Sequence, residues 1–336
     1  MSEDHASTRQ NEFVGTIKTV QGFIAKTTSE KKQNNQELFY RGHSDKKYKL
    51  EPSLFRKDKC GNPLYLDNEH ILYRELLISN SDDFLSDEYT LGKLIRMQHY
   101  SLPTRLLDIT SNPLIALYFA CKSDECEKKD EADASEKEIE GEVIQVSISR
   151  DQIRYFDSDT VSCIANLARL PNLEKTRINF FEEEFEKLQS WYFNSDATSY
   201  IENLGKLSQL DKEEIDELVK KFNNQPPIKR LIHFIKEEKS FFEDRIIPRD
   251  LKEIVCVKGK RSNHRISSQS GAFLLFGLNA VLNESGNSDI HIKRVIVKDK
   301  CKILKELDLL NINESTVFPY IENSAKYVAK KFQLTN

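Results

Sequence analysis

Three stretches far apart in the chain set chemistry-bearing side chains into otherwise apolar runs. They are Arg41-Gly42-His43 at the end of "ELFYRGH", the run from Gln98-His99 through Thr104, Arg105 and Asp108 to Asn112, and "RISSQSGAF" with Arg265, Gln269, Gly271 and Phe273. A charge or amide taken out of water is costly unless it is paired, so each needs a partner elsewhere in the chain or a ligand. Brought together, the three would line a cleft with two arginines, a histidine, a carboxylate and an amide beside Tyr40, Tyr100 and Phe273. That set suits a negatively charged, partly aromatic small molecule, because guanidinium forks hold phosphate and aromatic faces stack on a ring. A structural reading competes with it. Arg105 and Asp108 stand three residues apart ahead of an apolar run, a spacing at which the two can pair and fix a loop. Arg41 has Asp108 and Glu51 as candidate clamps, His99 reads as a core histidine, and Gln269 ahead of Gly271 reads as a turn residue.

The elements that must position these groups follow from periodicity. Phe13, Ile17, Val20, Phe23 and Ile24 recur at helical spacing and predict one helix with a buried face. Residues 37–42 read as a core strand stopped by glycine, and residues 67–79 and 91–100 as helices. Asn112 before Pro113 is an N-cap followed by a proline at the first helical position, and the helix over 114–121 is apolar nearly all round, so it belongs deep in the core. Further strands are expected at 142–149, 251–257, 272–276 and 291–297, with helices over most of 182–243, over 304–310 and at the end of the chain. Strands and helices do not alternate regularly, which predicts an α+β fold with a central mixed, mainly antiparallel sheet surrounded by helices. We expect one domain over 13–336, after a polar, disordered stretch at 1–12. An acidic surface insertion at 123–141 and a helical one at about 182–243 interrupt it.

Composition removes several function classes. With 336 residues, 38% of them hydrophobic and 31% charged, and a mean hydropathy of -0.58, the chain reads as soluble and globular. No apolar run approaches the roughly 18 to 20 residues of a membrane span, and the first residues lack a secretory signal pattern, so a cytoplasmic protein without a membrane partner is expected. A net charge of -4 argues against nonspecific nucleic-acid binding. The six cysteines lack CxxC spacing and are expected to be reduced, mostly buried thiols, with no metal held. No glycine-rich phosphate loop follows any strand. The only cluster of carboxylates that a metal-dependent nuclease would need lies in the acidic insertion.

The same polar runs resemble the FRG domain family, named for a Phe-Arg-Gly motif that is Tyr40-Arg41-Gly42 here. The resemblance continues through "LEPSLFR" at 50–56, "QHYSLPTRLLDITSNPLIALYFA" at 98–120, "RISSQSGAF" and "VFPYI" around Pro319, and so covers nearly the whole chain from about residue 15. Two positions depart from the family pattern: Ser101 stands at a small, glycine-like position and Ile109 where an aromatic follows the aspartate. The arrangement is similar to that of ADP-ribosyltransferases, which implies NAD as the substrate, and the FRG resemblance implies an accessory or toxin-like role in bacterial anti-phage defence.

On that resemblance Arg41, with Gly42 and His43, would hold the pyrophosphate or the nicotinamide ribose. His99 and Thr104 would bond ribose hydroxyls or the carboxamide, Arg105 would add phosphate affinity, and Gln269 would face the nicotinamide. Cleaving the nicotinamide–ribose bond needs a carboxylate near the anomeric carbon. Transferases of this kind carry a late-strand glutamate where this chain has Gln269, so Asp108 is the substitute, with Glu314 more remote. The acceptor would be a protein, a nucleic acid or water. The rival reading is a non-catalytic module that senses a nucleotide-like ligand or contacts another protein.

Overall fold

A computed structural model of the chain describes residues 13–28, 35–122, 139–187, 209–260, 269, 271–287 and 289–333. Eight strands form one mixed sheet: β1 (Phe13–Ile17), β2 (Gln36–His43), β3 (Leu106–Thr110), β4 (Gly141–Ser149), β5 (Ile153–Tyr155), β6 (Ile254–Lys258), β7 (Gly271–Phe276) and β8 (Ile290–Val297). Their order is β1-β8-β4-β2-β3-β7-β6-β5, antiparallel throughout except for the two edge strands. Helices α1 (Val20–Thr28), α2 (Glu69–Ser79), α3 (Thr90–His99) and α4 (Pro113–Cys121) come from the first third of the chain. Asp159–Asn166, Gln209–Asn223, Pro226–Glu238, Lys300–Leu309 and Ile321–Lys331 are the longer helices of the remainder. The α+β architecture with a mainly antiparallel sheet is therefore the one the sequence predicts.

Two local expectations are corrected. The helix expected from Phe13 onward is a strand up to Ile17 followed by a helix from Val20. Gly15 sits at φ 123°, outside any helical conformation, and Phe13, Thr16 and Ile17 suit an extended edge. Residues 106–110, read as a loop before the buried helix, form β3, which pairs over its whole length with β7.

The sheet's two faces are covered differently. On one face a single apolar cluster, including Phe39, Leu107, Ile144 and Leu274, runs from β8 across to β6. On the other face there are two clusters. One gathers Tyr40, Val143 and Val295 under α1, α4 and Lys300–Leu309. The other gathers Phe273, Leu275 and Val257 under α3 and the helices from Asp159 to Glu238. The joint between the halves is narrow: β2 and β4 pair at eight positions, whereas β2 and β3 pair only at Tyr40 and Thr110.

Helix α4 begins as the sequence dictates, with Asn112 Oδ1 accepting from Leu114 N at 3.0 Å and Pro113 opening the first turn. It lies directly on two glycines. A Cβ on Gly42 would sit 1.9 Å from the Ala116 carbonyl oxygen, and one on Gly141 2.3 Å from that of Ala120. The glycine of the Arg-Gly pair thus lets backbone pack on backbone.

Among the cysteines, Cys121, Cys163 and Cys256 are buried thiols. Cys60 is a free, exposed thiol, and Cys301 is disulfide-bonded, which corrects the expectation of a reduced thiol there. Cys126 lies outside the described residues, as do residues 1–12, Arg265, and most of the acidic insertion. The helical insertion is described as Glu182–Lys187, Gln209–Asn223 and Pro226–Glu238. No helix among the described residues is long and apolar enough to cross a membrane.

Candidate active site

Where β2 and β3 diverge, a cleft of about 170 Å³ opens between the two helix-covered halves of the sheet. Arg41, His99, Asp108 and Gln269 line it together, with Tyr40, Ile115, Phe119 and Phe273 as its apolar walls. Each comes from a different element: Arg41 from β2, His99 from the last turn of α3, Asp108 from β3, and Gln269 from just before β7. The three distant runs of the sequence therefore do converge.

The guanidinium of Arg41 closes the gap between the strands by donating from Nη1 to the main-chain carbonyl of Asp108 at 2.7 Å. Its Nε donates to His43 Nε2 at 3.0 Å. That leaves Nδ1 of His43 to donate to Glu142 Oε1 at 3.1 Å, which fixes a neutral imidazole. Burial lowers the His43 pKa below its ordinary value; the bond to Glu142 opposes this and the charge of Arg41 adds to it. Burial likewise draws Arg41 below the usual arginine value, against the pull of the Asp108 carboxylate. The chain continues to Arg294, whose Nη1 donates to Glu142 at 2.8 Å, and from there to Glu284. Alternation explains the arrangement: Arg41 and His43 point to one face of β2, and Glu142 stands opposite His43 in register. His43 is thus buried behind Arg41 and positions it.

Asp108 is the one exposed residue in the burial pattern of β3. Gln98 Nε2 donates to its Oδ2 at 2.7 Å, and Thr104 Oγ1 donates to Gln98 Oε1. Thr104 is buried and acts through Gln98 on the carboxylate, so the expected ribose contact is replaced by a positioning one. Gln269 is anchored twice: its carbonyl accepts from Thr110 Oγ1 at 2.6 Å, and its Nε2 donates to Val317 O at 3.0 Å.

Arg105 is not in the cleft, and neither is Tyr100. Phe276 N donates to Arg105 O, so the extended chain continues through residue 105, and three residues along an extended chain turn two side chains to opposite sides. Arg105, only 1% exposed, pairs instead with Glu69 at the start of α2, with Nε to Oε1 at 2.8 Å, and donates to Phe276 O at 2.7 Å. Lys175 shares the same carboxylate. Burial pushes the Glu69 carboxyl up, but Arg105 and Lys175 outweigh it and hold it at about 2. The expected Arg105–Asp108 pair and the phosphate role of Arg105 in this cleft both give way to that buried triad.

Sequence reading misses Glu142, Arg294 and Lys175. The available signal is a carboxylate inside the apolar strand "EVIQV", with no cue to its partner 152 residues on.

The FRG domain family model matches residues 36–129, which takes in β2, β3, α4 and the cleft residues from Tyr40 to Phe119, but not Gln269 or the lining residues of β7. That stretch is similar to the FRG domain. No curated protein and no solved structure matches it. The matched segment is shorter than the motif resemblance, which reaches past β7 to "VFPYI".

Proposed function

We propose that the FRG domain binds NAD at the Arg41–Asp108 cleft and cleaves the nicotinamide–ribose bond, passing ADP-ribose to a protein, a nucleic acid or water. One observation carries this reading: a single cleft holds a guanidinium and a solvent-facing carboxylate that do not spend themselves on each other. Arg41 bonds the Asp108 main chain and Gln98 bonds the Asp108 carboxylate, so the two charged groups are held beside one cleft by other partners. Bond cleavage builds positive charge on the ribose, which Asp108 would stabilise at short range. Arg41 would hold the ribose or pyrophosphate, and His99 a ribose hydroxyl. At about 170 Å³ the cleft suits one ring-sized group between Tyr40 and Phe273, the nicotinamide end, with the adenylate outside. Such an activity suits the toxin-like role in bacterial anti-phage defence that the family resemblance implies.

The second reading, a nucleotide-sensing module without turnover, draws on Gln269, whose amide cannot take a proton and already serves Val317. NAD consumption by purified protein, alone and with cell lysate, separates the two. Wild type is expected to consume NAD. Asp108→Asn should lower turnover by about 10²- to 10³-fold with little change in melting temperature, and Arg41→Ala should weaken NAD binding. NAD binding without consumption leaves the sensing module; no NAD binding by folded wild type ends both readings.

A further inference from the structure

A second hollow, of about 530 Å³, shares no lining residue with the Arg41 cleft. Among the described residues three cations line it, Arg105, Lys175 and Lys252, and no carboxylate does. Arg105 and Lys175 share the single carboxylate of Glu69, and Asp67 acts on Lys175 from outside the lining. Lys175 is 7% exposed. Its ammonium has three N–H donors, and Glu69 takes one of them. A bound anion would meet three cations on the wall of the hollow, with N–H donors of Lys175 to spare. Lys252, nearer the rim, pairs with Glu182 and lies 4.1 Å from the centre of the Phe180 ring. The remaining wall is largely apolar, with Phe55, Ile178 and Phe180, which a bare inorganic ion would not need. The volume falls within the roughly 300 to 1,000 Å³ typical of small organic ligands.

We propose that this hollow binds a phosphate ester of mononucleotide size, its phosphate toward Lys175 and Lys252 and its organic part against Phe55 and Phe180. The proposal stands independently of NAD at the other cleft. Calorimetric titration of the full chain with AMP, adenosine and inorganic phosphate at low ionic strength tests it. AMP is expected to bind saturably, and adenosine and inorganic phosphate each about tenfold more weakly or worse. Lys175→Gln and Lys252→Gln should each weaken AMP by about tenfold or more, while Arg41→Ala leaves it unchanged. Lys252→Gln keeps the Glu69 triad intact and decides the matter if Lys175→Gln does not fold. Absence of AMP binding, adenosine binding as tight as AMP, or AMP affinity unmoved by Lys252→Gln overturns the proposal. AMP binding lost in Arg41→Ala does so too, because it assigns the nucleotide to the first cleft.

Discussion

His43 accepts a hydrogen bond from Arg41 only as a neutral imidazole, and its proton then has to sit on Nδ1, facing Glu142. The side chain that follows the Arg-Gly pair is therefore legible as functional from its polarity, but its task is to aim the arginine. The same holds for Thr104, which reaches Asp108 only through Gln98. Side-chain chains of this sort leave no spacing signature, because their members come from different strands. Ser101 is the opposite case. The family resemblance implies a small, glycine-like residue there, and the serine stands at φ 66°, in the left-handed region. Ser101 N donates to Gln98 O and Leu102 N to Met97 O, closing α3 with the paired bonds that usually enlist a glycine. Ser101→Gly should therefore stabilise the fold by about 1 kcal/mol, read as a shift in the urea midpoint. A loss of stability would show that the serine is not strained.

At the scale of elements, the sequence makes α4 plain, because an Asn-Pro start and an unbroken apolar run leave few alternatives. It does not show why the helix can lie so deep. That depends on Gly42 and Gly141, one on each of the adjacent strands β2 and β4, both under α4. Gly42→Ala would drive a methyl into the Ala116 carbonyl, where no side chain can yield. We expect a loss of about 3 kcal/mol or more in chemical denaturation, with Arg41 itself untouched. Strand β3 is the element hardest to read. Its five residues contain Asp108 and abut an arginine, and its partner β7 comes 161 residues later, counting from Thr110 to Gly271. Only that pairing fixes which way Arg105 and Asp108 face, and so decides that they do not meet.

For the molecule as a whole, the buried triad of Glu69, Arg105 and Lys175 ties α2 to the end of β3 and to the residues after Asn172. Its pH behaviour follows from the sign of the shift. The Glu69 carboxyl is held at about 2 in the folded protein, below its ordinary 4.5, so folding favours the ionised form. The stability this contributes is complete above about pH 4.5 and is lost as pH falls toward 2, by roughly 3 kcal/mol in all. Glu69→Gln should destabilise the protein by roughly 3 to 5 kcal/mol at neutral pH, since it strands two cations, and should flatten that acid limb. Urea unfolding of both proteins at several pH values measures each effect. An acid limb as steep in the variant as in wild type would assign acid sensitivity to other carboxylates.

Because β2 and β3 share a single residue pair, the side chain of Arg41 is a principal polar fastening across the middle of the sheet. An anion that drew the guanidinium out of its bond to the Asp108 carbonyl would remove that fastening. Occupancy of the cleft and separation of the two half-sheets would in that case be one linked equilibrium, in which whatever loosens the seam raises affinity and whatever binds loosens the seam.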